Sequence, residues 1–297
     1  MASTEDDYVF RRDFLDSNRC VPRGQRTQVT RDDSWPRDNP DMSAVSTCCT
    51  IFWTKTFGYV IHPKITNGGQ IGRVADVGTG TSIWLLDARD QLPEQTELDG
   101  FDISLAAVPP PEVLPPNVKL QLWDVKKNVP DRLVGAFDVV YLRFFAFVLM
   151  NDEIPGVIEK VFQMLKPGGY IQWEEADMET LRFDKARPDT KTNNLEDLFK
   201  LLLVQDHRFK PTWAKKLDDL LSNAGFVDIE RDTRDAPPHV AFQFHEVGLM
   251  IHELIARKTT NSLLSGELKR LLPAAIKETQ NGAYGASERF VVIGRKP

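Results

Sequence analysis

Cysteine is scarce: three residues in 297, Cys20, Cys48 and Cys49, all within the first fifty. They form no Cys-x-x-Cys pair and no Cys/His cluster at zinc spacing, which excludes a disulfide framework and a structural zinc and leaves no metal site to assign. Excess positive charge is also missing. Forty-three acidic residues against 37 basic give a net charge of -6, and grip on a phosphate backbone needs a concentrated positive face, so nucleic acid is not an expected partner. Long apolar runs are absent as well. The longest, Phe144 to Met150, is about a third of the roughly 20 residues that span a bilayer, so no membrane association is expected. Met1 to Phe10 is acidic and polar, the reverse of a secretory leader. A reduced, cytoplasmic protein is the expectation.

What is present has two textures. Residues 1–69 read as an N-terminal arm, within which 20–52 reads as a disordered insert, rich in Arg, Asp, Ser, Thr and Pro and without a period of 2 or 3.6. Residues 70–297 read as one α/β domain. Apolar strands at RVADV, ELDGFDIS, VKLQLWDV, AFDVVYLRF and GYIQWEE alternate with crossovers, notably a helix with the face Ile154, Val157, Ile158, Val161, Phe162 and Leu165. FVDIERDT and RFVVIGRKP supply two late strands. The pattern predicts a seven-stranded, mostly parallel sheet with helices on both faces and a helical substrate cover at about 193–272.

The sharpest local signal is Asp76-Val77-Gly78-Thr79-Gly80-Thr81-Ser82 at the end of the first strand. Glycines there permit a tight turn and close approach of a ligand to the backbone. Asp102 ends the second strand 24 residues after Gly78, where a carboxylate can take two ribose hydroxyls or cap a following helix. Asp124, followed by Val125, ends the third strand, placed for an exocyclic adenine amine or for a surface turn. Ser82 stands near where a dinucleotide fingerprint wants its third glycine, and Asp76 would repel a diphosphate. Both count against an oxidoreductase with a dinucleotide.

The stretches ADVGTGTSIWLLD, DGFDIS, LPPNVKLQLWDV, GAFDVVYLRFF and MLKPGGYIQWEE together resemble the fungal secondary-metabolism class I methyltransferases, a group that includes LaeA-like regulators. The resemblance runs over about 57–296. It implies a Rossmann-like fold and S-adenosylmethionine as cofactor. Asp76, Gly78 and Gly80 then hold its amino-acid and ribose parts, Asp102 the ribose hydroxyls, and Asp124 with Val125 the adenine, while Arg143 lies beneath the methyl. Ser82 departs from the family's glycine, and the insert separates Ser17-Asn18-Arg19 from Trp53, Gly58, Tyr59, His62 and Pro63, which run together in the family.

Methyl transfer asks the protein to align a nucleophile and exclude water, with a base only where the nucleophile must lose a proton. The candidates are His62, His245 and Glu175, each with a plain packing role as its alternative. His207 and Glu174 stand behind them, and the intervals of His239, His245 and His252 do not suit a metal. The expectation is methyl transfer to oxygen or nitrogen of a small-molecule secondary metabolite by a monomer or homodimer. The rival is a regulatory protein acting through protein partners, and an apolar cavity beside the methyl would separate the two. A base-modifying enzyme is disfavoured because Tyr141-Leu142-Arg143-Phe144 stands where an Asn-Pro-Pro-Tyr segment would grip a flipped base.

Overall fold

The computed structural model describes residues 40–203 and 211–297. Its strands are β1 (Arg73–Val77), β2 (Glu97–Asp102), β3 (Val118–Leu122), β4 (Phe137–Arg143), β5 (Leu165–Ala176), β6 (Arg182–Lys185), β7 (Val227–Asp235), β8 (Ala283–Ala286) and β9 (Glu288–Arg295). Seven of them make the main sheet in the order β3-β2-β1-β4-β5-β9-β7, parallel except for β9, which runs against both β5 and β7. This is the mostly parallel, Rossmann-like sheet expected. Strand β1 is buried from Val74 to Val77, as a central parallel strand covered on both faces must be.

Helices α1 (Pro40–Phe57), α2 (Ile83–Arg89), α3 (Ile154–Met164), α4 (Asn193–Leu203), α5 (Leu217–Asn223), α6 (Pro238–Lys258) and α7 (Ser262–Gln280) complete the layers. One face of the sheet carries α3 and α5 over a core that includes Val140, Leu142, Trp173 and Val292. The buried residues Ile154, Val157, Ile158, Val161 and Met164 of α3 recur at helical spacing, and this places its apolar stripe on the sheet. The opposite face carries Trp53 and Phe57 of α1, Trp84 and Leu85 of α2, and Val240, Ala241 and Phe244 of α6. A smaller core joins α4, α6 and α7.

Two expectations need correction, and one feature was not expected. Residues 40–52 are not part of a disordered insert: they belong to α1, while residues 20–39 lie outside the described residues. Val45, Cys49, Trp53 and Phe57 fall four apart and are 2–8% exposed, a single buried stripe. The Ser/Thr content that disguised it is satisfied inside the helix. Thr50, Thr54 and Thr56 donate to the carbonyls of Ser46, Thr50 and Phe52 at 3.1, 3.2 and 2.9 Å, the back-bonding open to hydroxyls four residues on. The cover expected over 193–272 is made by α4, α6 and α7 and continues to Gln280, whereas α5 and β7 inside that span pack with the main sheet. Finally, β6 and β8 form a separate antiparallel ribbon that the sequence pattern did not announce.

Candidate functional site

The turn from β1 into α2 is held by two glycines. Gly78 has φ +72°, and a Cβ there would meet the Phe145 ring at 2.9 Å; Gly80 has φ +56°, with a Cβ 3.2 Å from Ser46 Oγ. Both conditions require glycine. Asp102 ends β2 with Oδ2 accepting from Gly80 N at 2.9 Å and Oδ1 accepting from Ile103 N at 2.7 Å, so the acid of the second strand is tied to the turn of the first. Asp124 Oδ1 accepts from Lys126 N at 2.9 Å. Gly78, Gly80, Asp102, Asp124, Val125 and Arg143 together line a crevice of about 280 Å³ at the carboxyl ends of the parallel strands, the edge where open α/β sheets take ligands. Ser82 precedes α2 but does not cap it. Its φ is +60°, and its hydroxyl turns back to Thr81 O at 2.6 Å.

A second cavity of about 360 Å³ meets the crevice along Ser46, Gly78, Arg143, Phe147 and Val148. Its walls come from α1, α4, α6 and β8, and it is largely apolar, with Phe199, Leu202, Phe244 and Ile251 among its lining. Asp76 lines this cavity rather than the crevice. Thr79 Oγ1 donates to Asp76 Oδ2 at 2.7 Å, and burial pushes the carboxyl up to about 7. Arg143 stands at the junction. Its Nη2 donates to Thr50 Oγ1, its Nη1 has no hydrogen-bond partner, and Glu174 Oε2 is 3.9 Å away.

His245, on α6, lines the cavity and is 3% exposed. Thr279 Oγ1 donates to Ala275 O at 3.1 Å, so it accepts at 2.8 Å from His245 Nε2; the proton is on Nε2 and Nδ1 carries the lone pair. Burial, with His252 adding to it, holds the imidazole down at about 4.

The other expected residues fall elsewhere. Glu175 lines neither cavity. It lies on the α3 face of β5, accepting on Oε1 from Trp173 Nε1 at 2.8 Å and from Ala146 N at 3.2 Å, and burial pushes it up to about 8. Glu174 points to the opposite face, where Tyr141 Oη donates to it at 2.6 Å and Gln172 Nε2 at 2.8 Å. His62 also lines neither cavity. It caps the single turn Pro63–Thr66, its Nδ1 accepting from Lys64 N at 3.2 Å, and it packs edge-on to Tyr59. His239 is exposed, and His207 lies outside the described residues. Among the described residues no group of three His, Cys, Asp or Glu side chains is placed to hold a metal ion, and no helix is long and apolar enough to cross a membrane.

Sequence reasoning missed Ser46, Cys49 and Thr50 of α1, His252 as a cavity residue, and Arg289 of β9. Only Arg289 carried a usable signal. In Glu288–Arg295 it shares the side of Val291 and Ile293, so a period of two puts a cation inside the protein.

A family model described as a methyltransferase domain matches residues 53–231, more than half of the chain and the whole of the turn, the acids and the strands that present them. The chain belongs to the methyltransferase domain family. Its similarity to individual members is partial. The N-methyltransferase verN of Clonostachys rogersoniana is 35% identical over 41% of this chain and 43% of its own length. The N-methyltransferase tcpN of Claviceps purpurea is 29% identical over 54% and 57%, and the secondary metabolism regulator laeA of Gibberella zeae 24% over 54% and 50%. The chain thus spans about half the length of the curated relatives it matches. Methyltransferase membership brings S-adenosylmethionine as the cofactor to fit. The crevice suits a nucleoside, with carboxylates at two strand ends and a turn stripped of side chains. His245, His252 and Arg289 lie beyond the matched residues.

Proposed function

We propose that this methyltransferase moves a methyl group from S-adenosylmethionine to nitrogen or oxygen of a small organic acceptor held in the 360 Å³ cavity. The observation that carries the reading is the junction at Arg143. A nucleoside-type crevice and an apolar cavity share one short boundary there, and a methyl donor and a methyl acceptor need such a boundary. When bound, S-adenosylmethionine supplies a methyl already activated by its sulfonium. Asp102 receives the ribose diol while its backbone bonds to Gly80 and Ile103 fix its direction. Asp124, held by Lys126 N, and the Val125 backbone face the adenine end. Arg143, which lines both the crevice and the cavity, faces the amino-acid end, and the apolar wall excludes water.

His245 accepts a hydrogen bond from the acceptor at Nδ1. An imidazole pushed down to about 4 is a weak proton sink at neutral pH, so its part is to orient an N–H or O–H group. Neither Glu175 nor His62 has access to this chemistry. Nitrogen is the first acceptor atom to test, because two of the relatives are named N-methyltransferases. The similarity to laeA carries the rival reading of a regulator with protein partners, and an apolar cavity beside the crevice supports the enzyme instead.

Calorimetric titration with S-adenosylmethionine, S-adenosylhomocysteine and NAD in parallel tests the proposal. Binding of the first two in the micromolar range with no response to NAD is the expected result. Binding of NAD alone, or silence toward all three, overturns it.

A further inference from the structure

Among the described residues eight buried side-chain nitrogen or oxygen atoms have no hydrogen-bond partner, and four of them belong to residues of the acceptor cavity: Arg143 Nη1, Arg289 Nε, His245 Nδ1 and His252 Nε2. Buried polar atoms are rarely left so, and their clustering in one cavity points to the chemistry of what the cavity takes.

Arg289 is the most informative of the four. It is 7% exposed, and no carboxylate among the described residues lies at ion-pair distance. Its Nη1 donates to Ser287 O at 2.8 Å, and its guanidinium carbon sits 3.6 Å from the centre of the Phe244 ring. Stacking on an aromatic face offsets part of the desolvation of a buried cation, but a buried arginine ordinarily has an anionic partner as well. Burial lowers its pKa to about 10, and it stays charged at neutral pH.

The two histidines are acceptors. His252 Nδ1 lies 2.7 Å from Gly248 O, and a carbonyl can only accept, so Nδ1 bears the proton and Nε2 the lone pair. His245 presents its lone pair at Nδ1, because its Nε2 donates to Thr279 Oγ1. Burial keeps both rings down at about 4 and therefore neutral. Lone pairs repel an anion and attract an N–H or O–H group. The cavity thus has a cation from β9 at Arg289, a second at Arg143 on the boundary with the crevice, and an accepting wall on α6.

We propose that the methyl acceptor is an apolar organic acid whose carboxylate is bound by Arg289, with a hydroxyl or N–H group of the same molecule turned toward His245 and His252. This rests on the reading of the cavity as the acceptor site. Arg143 is a poorer candidate for the carboxylate, because it stands at the boundary with the crevice and is already engaged by Thr50 and faced by Glu174.

The test uses two fluorescent probes with one apolar body, anilinonaphthalene sulfonate and neutral phenylnaphthylamine, on the full chain saturated with S-adenosylhomocysteine. Loss of a charge-assisted hydrogen bond should weaken the anionic probe roughly tenfold or more in Arg289→Met, with the neutral probe changed less than about twofold, and Arg289→Lys should stay within about threefold of wild type. Unchanged affinity of the anionic probe in Arg289→Met overturns the proposal. So does an equal loss of both probes, which would make Arg289 a packing residue. A second measurement needs no variant: naphthoate should displace the anionic probe from the wild-type protein at roughly a tenth of the concentration naphthamide requires, and equal potency overturns the proposal. Titration of S-adenosylhomocysteine in the same samples keeps failures apart, since its silence counts against the cofactor reading while the probe comparison, repeated without it, still judges Arg289.

Discussion

The crevice and the cavity meet at Arg143, yet they are built on different plans. Every acid of the crevice is anchored by backbone amides: Asp102 by Gly80 and Ile103, Asp124 by Lys126. Its glycines and acids sit at the ends of β1, β2 and β3 or on the turns that follow them, within the matched residues 53–231. The cavity draws on α1, α4, α6, β8 and the start of β9, and much of it lies beyond residue 231. Its buried polar atoms at Arg289, His245 and His252 hold only part of their hydrogen-bonding capacity. A site whose polar groups are already bonded within the protein presents a fixed shape for its ligand. One whose groups are left wanting discriminates harshly, because a ligand without the matching group leaves them unpaired. If the proposed roles of the two regions hold, cofactor binding and acceptor choice are separable by mutation.

Asp102→Ala is expected to show the largest separation. It removes a carboxylate that accepts charge-assisted bonds and ties the Gly80 turn to β2, so affinity for S-adenosylhomocysteine should fall roughly tenfold to a hundredfold, as read by calorimetry. Binding of phenylnaphthylamine in the cavity should not change. His245→Ala is the mirror experiment, leaving S-adenosylhomocysteine affinity within about twofold of wild type, as expected where no bond to the cofactor side is removed. If His245→Ala weakens the cofactor as much as Asp102→Ala does, the two regions are one energetic unit and the comparison fails.

How far this division was legible follows from the same contrast. Most of the sheet was readable because its central strands, such as β1 and β4, are short apolar runs closed by a turn, and the glycines and acids of the crevice occupy contiguous stretches of sequence. The cavity was not, since its walls are brought together by tertiary packing. Helix α1 was hidden by hydroxyls that its own carbonyls satisfy. The ribbon strands Arg182–Lys185 and Ala283–Ala286 are four residues each with little apolar alternation. Glu174 and Glu175 show the limit of a period of two: it requires them to face opposite ways but gives no sign. The sign came from their neighbours, because Trp173 shares the α3 face with Glu175 whereas Tyr141 lies on the face of Glu174.

Glu175 sharpens the comparison through pH, since it is a buried acid outside both cavities. Its carboxyl moves from 4.5 to about 8, chiefly through burial. Between those values the folded chain keeps a proton that the unfolded chain releases, so the stability this group allows is complete below about pH 4.5 and drains away as pH rises through about 8. Asp76 and Glu174, both raised to about 7, act in the same direction. His245 and His252, lowered to about 4, act in the opposite one, losing stability as pH falls from about 6.5 toward 4. Glu175→Gln keeps an oxygen for Trp173 Nε1 and Ala146 N and cannot ionise. Its urea midpoint should match wild type near pH 5 and exceed it increasingly toward pH 8, with S-adenosylhomocysteine affinity unaltered. A midpoint difference that does not vary with pH would count against the buried, protonated carboxyl.

The smallest effect is expected at Ser82, where the crevice departs from its own plan. A non-glycine residue at φ +60° is strained by roughly 1 kcal/mol, and the serine is fully buried, so the strain is not relieved by outward movement of the side chain. Its hydroxyl donates to the carbonyl of the residue before it, Thr81, and gives α2 no side-chain cap. Ser82→Gly removes the strain, loses that one hydrogen bond, and adds unfolded-chain entropy of about 0.4–1 kcal/mol. With the hydrogen bond itself worth about 0.5–1.5 kcal/mol, these contributions nearly cancel, and stability should stay within about 1 kcal/mol of wild type. Cofactor affinity should stay within about twofold, because Gly78 and Gly80 already shape the approach to the backbone. A stability loss above about 1 kcal/mol would instead mean that the Ser82 hydroxyl bond holds the turn, making the crevice dependent on a side chain where it otherwise relies on the main chain.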